Sequence, residues 1–182
     1  GQGQYIDISM TDCVATLNSM AAAAVLAGET KQYAEQSHLN GATYYDYYQT
    51  LDGRYLSVGS LEPQFMSGLA TVLELPILLE KGTSFDATDQ KLVKQALQEK
   101  IKTKTFTEWS SIFAELDVCV EPVLHLDEAL TSPLAKQRQW VVDVPLAEES
   151  AQTEPQLACP IKFSRSKMSY KHIGKKLGED SF

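Results

Sequence analysis

Ala42-Thr-Tyr-Tyr-Asp-Tyr-Tyr-Gln-Thr-Leu-Asp-Gly-Arg-Tyr-Leu-Ser-Val-Gly-Ser60 is the stretch on which the reading of this 182-residue chain turns. Two runs rich in aromatic and β-branched residues flank Asp52-Gly53, a dipeptide suited to the positive φ angles of a tight turn. The segment therefore predicts a β-hairpin. Glu62-Pro63 follows at once. Proline has no N–H to lose at a first helical position, and Phe65, Met66, Leu69, Val72 and Leu73 then fall on one face, so a helix is predicted up to Leu75-Pro76. The four tyrosines at 44, 45, 47 and 48 invite two readings, and at least two of them are expected to pack across the strands. Asp46 is expected to face solvent.

Outward from the hairpin, Asp86 to Lys102 carries Leu92, Val93, Ala96, Leu97 and Ile101 at helical spacing, and Thr107 to Leu116 forms another amphipathic helix. Val118-Cys-Val120 and Pro122-Val-Leu124 read as strand, Leu126 to Leu130 as a short helix and Trp140 to Val144 as strand. Ala147 to Pro155 reads as a polar loop and Leu157 to Phe163 as a last strand. Before the hairpin, Tyr5 to Ser9 alternates as a short strand and Ser9-x-x-Asp12 marks a helix start. Met10, Cys13, Val14, Leu17, Met20, Ala21, Ala24 and Val25 recur at helical spacing, and Gly28 is placed to end that helix. This strand and helix are expected in a packed core. The polar stretch from Glu29 to Gly41 reads as a linker.

Composition narrows the function classes. With 43% hydrophobic and 22% charged residues, the chain has an ordinary globular balance. It carries 24 acidic against 16 basic side chains, a net charge of −8, without a Lys/Arg stripe that could neutralise a run of phosphates, so nucleic acid is not an expected partner. No apolar run approaches the roughly 20 residues of a membrane-spanning helix. Cys13, Cys119 and Cys159 are odd in number and flanked by apolar residues, which predicts reduced core thiols rather than bridges or a zinc site, and a cytoplasmic location. Trp109, Trp140 and the methionines are likewise expected in the core. The opening Gly-Gln-Gly-Gln, with no initiator Met and no signal peptide, reads as a cut inside a longer polypeptide.

Four segments in order resemble the second half of the CaiB/BaiF acyl-CoA enzymes, the class III CoA-transferase superfamily. They are Gly1-Gln-Gly-Gln-Tyr-Ile-Asp-Ile-Ser-Met10, Asn40-Gly-Ala-Thr-Tyr-Tyr45, Asp52-Gly-Arg-Tyr-Leu-Ser-Val-Gly-Ser-Leu-Glu-Pro-Gln-Phe65 and Ile173-Gly-Lys-Lys-Leu-Gly178. Leu61-Glu-Pro-Gln-Phe65 resembles the α-methylacyl-CoA racemase branch. The resemblance implies an α/β family in which this stretch is α+β, a small domain together with strand and helix pieces of a large Rossmann-like domain. Residues 1–28 would end the first part of the large domain, 29–41 would be a linker, 42–142 the small domain and 143–182 the return. It also implies an interlocked homodimer.

The implied chemistry is racemisation at the α-carbon of a 2-methylacyl-CoA thioester, which needs an acid/base group on each face of that carbon and donors around the enolate oxygen. In the family those roles fall largely to a His and an Asp in the first half of the polypeptide, upstream of this chain. His38, His125 and His172 match no such motif and are read as surface or structural. Of the residues present, Glu62 matches a glutamate that lines the active site near the catalytic histidine. Tyr45 matches a tyrosine approaching the acyl pocket, and Leu61 an apolar position beside it. At a helix start a carboxylate faces unpaired N–H groups, which favours its charged form, and a plain helix cap is the competing reading of Glu62. No metal and no organic cofactor is implied, CoA entering as part of the substrate. Lys162, Arg165, Lys167, Lys171, Lys175 and Lys176 form the one basic stretch, read as a solvated tail rather than a phosphate site. A class III CoA-transferase, passing CoA between carboxylic acids, is the alternative. Its relatives often carry a glycine-rich loop where this chain reads Gly59-Ser-Leu-Glu-Pro. A third reading is a non-catalytic domain that binds CoA esters or a partner subunit.

Overall fold

The computed structural model describes residues 1–28, 37–175 and 177–178. Residues 29–36 of the expected linker, Lys176 of the basic stretch and residues 179–182 lie outside the described residues. The chain is mixed α/β and forms two compact units, residues 1–123 and 124–182. The division at 142/143 drawn from the sequence falls inside a strand, Val141–Pro145.

The first unit is built on the hairpin. Strands β1 (Asp46–Gln49) and β2 (Tyr55–Val58) pair antiparallel with Asp46 opposite Val58 and Gln49 opposite Tyr55. The turn between them is closed by Thr50 N–H to Arg54 O at 2.8 Å, and Gly53 takes φ 80°, where a Cβ would be strained. The third strand, β3 (Val120–Pro122), adds antiparallel to β2, Val58 opposite Val120. It is shorter than the two runs read from the sequence, because Val118 is buried and Cys119 turns the chain at φ 51°.

Behind the sheet lie α3 (Pro63–Leu73), α4 (Ile77–Lys81), α5 (Ala87–Ile101) and α6 (Phe106–Phe113), preceded in the chain by α1 (Met10–Leu17) and α2 (Ser19–Leu26). The core joins Tyr44, Tyr48, Leu56 and Val58 of the hairpin to Leu69 and Leu73 of α3, Val93, Leu97 and Ile101 of α5, and Trp109 of α6. Trp109 is 1% exposed and its indole N–H donates to Ile101 O at 2.7 Å, so burial leaves no orphaned donor. Asp86 caps α5 by accepting from Thr88 and Asp89 N–H, and Thr105 with Glu108 forms a capping box on α6.

Strand β1 is a sheet edge, and α5 covers it with polar side chains. Gln98 accepts from Gln49 N–H at 3.1 Å and donates to Gln49 O at 2.8 Å, and Gln90 accepts from Tyr44 N–H at 2.9 Å. An amide side chain carries a donor and an acceptor side by side, so Gln98 satisfies the edge as a neighbouring strand would.

The N-terminal expectations are corrected in part. Ser9 accepts from Asp12 N–H and Gly28 follows the helix at φ 95°, both as read. Tyr5 to Ser9, however, forms no strand. The helix breaks at Asn18, whose side-chain amide donates to Val14 O. Neither α1 nor α2 has a buried residue, and Tyr5, Met10, Leu17, Met20 and Leu26 are almost fully exposed. The apolar spacing is present, but the described residues supply nothing for it to pack against. The cysteines depart from the core reading for a similar reason, Cys13 and Cys119 being exposed and Cys159 half-buried.

The second unit holds α7 (Leu126–Thr131), α8 (Pro133–Gln137) and a two-stranded antiparallel sheet of β4 (Val141–Pro145) and β5 (Thr153–Leu157). The expected loop therefore ends at Gln152, and β5 lies ahead of the strand expected at Leu157 to Phe163. Pairing with β4 outweighs the stronger apolar content of the later segment. Trp140 is 37% exposed, outside the core role expected of it. Among the described residues no helix is long and apolar enough to cross a membrane.

Candidate functional site

Side chains alternate across a strand, and the register of the three-stranded sheet turns that alternation into a site. Tyr48 and Leu56, opposite one another, enter the core, as do Val58 and Val120. The rows between them face outward. Tyr47, Ser57 and Glu121 lie side by side in one row. The next row continues past the strand ends as Tyr45, Gly59 and Cys119, held by Gly59 N–H donating to Cys119 O at 2.8 Å. These six residues floor a cleft of about 740 Å³, walled by Leu39, Asn40, Gly41, Asp46 and Glu62.

Gly59 lets the tyrosine ring lie close over this floor. A Cβ there would stand 3.3 Å from Tyr45 Cε2 and 3.6 Å from Cys119 O, so a larger residue would press the ring outward by a few tenths of an ångström. The Tyr45 backbone is held in turn by its N–H donating to Thr43 Oγ1 at 3.2 Å.

Glu62 occupies the N-cap position of α3, φ −70° and ψ 141°, with Pro63 as the first helical residue. Its carboxylate makes no capping hydrogen bond and, among the described residues, no side-chain hydrogen bond or ion pair. The helix-cap role that competed for this residue is therefore not exercised by its side chain. Its charge acts on its neighbours instead. Burial, and then the Glu62 carboxylate, push the Tyr44 hydroxyl from 10.0 up to about 12. Burial foremost, then Glu62, Asp117 and Glu121, raise the Cys119 thiol. Among the described residues no Lys, Arg or His lines the cleft, whereas Asp46, Glu62 and Glu121 do, so the field they set there is negative.

Of the residues singled out in the sequence, Tyr45 and Glu62 come together in this cleft. Leu61 does not line it and packs, half-buried, against the core cluster. Tyr44 and Tyr48 are core residues, their hydroxyls donating to Ser60 O and Tyr44 O. Asp46 is not simply solvent-facing: one carboxylate oxygen accepts from Tyr47 N–H at 2.8 Å, the other faces Lys94 at 3.1 Å. His38 lies with its ring 5.8 Å from Phe85 and His125 is exposed at the start of α7, both outside the cleft. His172, in the second unit, is half-buried with Nδ1 lacking a partner among the described residues. Among those residues no group of His, Cys, Asp and Glu is placed to hold a metal ion.

The model of CoA-transferase family III matches residues 1–181. The chain belongs to this family. A mouse family member, alpha-methylacyl-CoA racemase of Mus musculus, is 37% identical over 131 residues, covering 71% of this chain and 34% of its own length. The Homo sapiens alpha-methylacyl-CoA racemase is 32% identical over 139 residues, covering 76% of this chain and 36% of its own. The chain thus spans about a third of the length of these curated relatives. Among solved structures, a CaiB/BaiF family protein from Brucella suis superposes with a TM-score of 0.71 at 20% identity, covering 98% of this chain and 46% of that one. The likeness extends the family assignment to the fold.

Sequence reasoning missed Tyr47, Ser57, Glu121 and Cys119 as members of the cleft. The first two were within reach, since alternation about Asp52-Gly53 puts 45, 47, 57 and 59 on one face. Residues 119 and 121 join only through the pairing of β3, which no local pattern announces.

Proposed function

We propose that the polypeptide to which this chain belongs is an acyl-CoA racemase, removing and returning the α-proton of a 2-methylacyl-CoA thioester. The observation that carries the reading is Glu62, a carboxylate at a helix start that makes no cap and instead shares a cleft with Tyr45. The curated relatives that bear the racemase name add to it. A cleft lined by Tyr45, Tyr47 and Leu39, with no cationic side chain among the described residues, suits the acyl end of the thioester rather than the phosphates of CoA. Glu62 there orients and holds the protonated form of a base contributed by the rest of the polypeptide, which keeps that base poised on one face of the α-carbon. CoA is part of the substrate, and no metal or organic cofactor takes part. The cytoplasmic location and the interlocked homodimer belong to the same proposal.

The test is deuterium wash-in at the α-carbon in heavy water, with the full-length protein and an added carboxylate acceptor. The racemase reading predicts label at the α-carbon and loss of stereochemical purity, with no acyl-CoA formed from the acceptor. Transfer of CoA to the acceptor without wash-in would move the protein to the CoA-transferase reading.

A further inference from the structure

Helix α5 presents Gln90, Lys94 and Gln98 at i, i+4 and i+8, one stripe along the outer edge of β1. The two glutamines meet backbone groups of Tyr44 and Gln49, and neither of them lines the cleft. Lys94 differs. Its ammonium donates to Gly41 O at 2.8 Å and sits 3.1 Å from Asp46 Oδ2, and both Gly41 and Asp46 line the cleft that Lys94 itself does not enter.

We infer that Lys94 is a positioning residue for the substrate cleft, clamping its rim loop and its tyrosine-bearing strand to one rigid helix. The inference rests on the cleft being the acyl-CoA site. Gly41 takes φ 86° at the end of the rim segment Leu39-Asn40-Gly41, whose backbone hydrogen bonds among the described residues are local: Asn40 N–H to Ser37 O at 3.0 Å and Ala42 N–H to the same oxygen at 3.2 Å, with the Thr43 hydroxyl donating to His38 O at 2.7 Å. Asp46 is the other end of the clamp. Its second oxygen accepts from Tyr47 N–H, so the orientation of this carboxylate bears on the floor residue Tyr47. A lysine supplies several donors from one flexible stem, so a single ammonium bonds the carbonyl and the carboxylate together, and it neutralises one of the three negative charges at the cleft. The side chains of Lys94 and Asp46 are 27% and 43% exposed, so solvent screens the pair in part and the Gly41 carbonyl bond carries the rest of the clamp. Without Lys94 the Gly41 carbonyl loses its partner and Asp46 adds an unbalanced charge beside the acyl end of the substrate.

The test compares Lys94→Met with Gln98→Met in the full-length protein. Both introduce a good helix former and both remove two hydrogen bonds of the stripe, but only the first touches groups that line the cleft. Lys94→Met is expected to raise KM for 2-methylacyl-CoA by about tenfold with kcat within about twofold, the scale of one lost charge-assisted contact. Lys94→Arg recovers most of that loss. Gln98→Met lowers the unfolding temperature and leaves KM unchanged. In an Asp46→Asn background the effect of Lys94→Met shrinks, because the two act as one unit. A wild-type KM in Lys94→Met, or equal KM shifts in both methionine variants, overturns the clamp. The dissociation constant of the thioester, measured without turnover, gives the same comparison. A protein that binds acyl-CoA but exchanges no proton therefore sinks the racemase reading while the clamp is judged on affinity.

Discussion

Tyr44 and Tyr45 are neighbours of the same type with opposite fates. Tyr44 is fully buried and its hydroxyl donates to Ser60 O, while Tyr45 lies open in the cleft over Gly59. Tyr44→Phe removes one buried hydrogen bond and orphans the Ser60 carbonyl, which costs about 1–2 kcal/mol, whereas Tyr45→Phe leaves stability unchanged. The same residue contributes to an alkaline limit that it shares with Tyr48, whose hydroxyl is likewise pushed up by burial. The Tyr44 hydroxyl ionises at about 12 in the folded protein against 10.0 ordinarily, so the folded state favours the protonated form. Its contribution is complete below pH 10 and is lost as pH rises through 12. Denaturant unfolding followed from pH 8 to 11 is predicted to show a falling limb that Tyr44→Phe makes shallower. A parallel limb in the variant would assign it elsewhere. Which tyrosine goes inward could be read from alternation about Asp52-Gly53. That Tyr45 lies close over Gly59 could not, because the contact crosses from one strand to the other.

Elements were legible where their signals are local. The hairpin, the Glu62-Pro63 helix start, the Asp86 helix and the Ser9 cap all follow from residues within one turn of each other. Elements that depend on distant partners were legible only in part: Val118 to Leu124 reads as strand, but the bounds of β3 follow from the edge that β2 offers, and β5 lies where β4 pairs rather than where the apolar run falls. The same distinction makes the helix starts a matter of pH. Asp86 accepts two backbone N–H groups at the head of α5. Asp52, in the hairpin turn, accepts from Thr50 Oγ1 and from Phe106 N–H at the head of α6. These hydrogen bonds hold both carboxyls below the ordinary 3.8. A carboxylate with a depressed folded pKa stabilises above its unfolded value and ceases to do so as pH falls through the folded one. The unfolding temperature is therefore predicted to drop below about pH 4. The Asp52→Asn and Asp86→Asn variants should be less stable at pH 7 and nearly equal to the parent at pH 2.5. Variants that run parallel to the parent throughout would show that these carboxylates do not join the hairpin and α5 to the fold.

At the scale of the whole molecule, apolar surface is the governing fact. Helices α1 and α2 carry helical apolar spacing yet bury nothing, and Leu157, Ile161 and Phe163 of the second unit are also exposed. Surfaces of this kind associate. The 182-residue chain alone is predicted to gain mass with concentration in sedimentation equilibrium and to bind a hydrophobic dye, and a concentration-independent monomer would contradict this. The sequence showed the apolar stripes but not what they meet. The site has the same character, half of it drawn from the hairpin and half of the proposed chemistry requiring a base from outside this chain. Glu62 is where the two halves are proposed to join, so the most direct measurement is the rate of α-deuterium wash-in for full-length Glu62→Gln against the parent. The account predicts a fall in kcat of at least about a hundredfold, the scale of a positioned acid/base partner, with thioester affinity and unfolding temperature unchanged. Parent-like wash-in in Glu62→Gln would reduce this carboxylate to an uncapped helix end and remove the cleft from the chemistry.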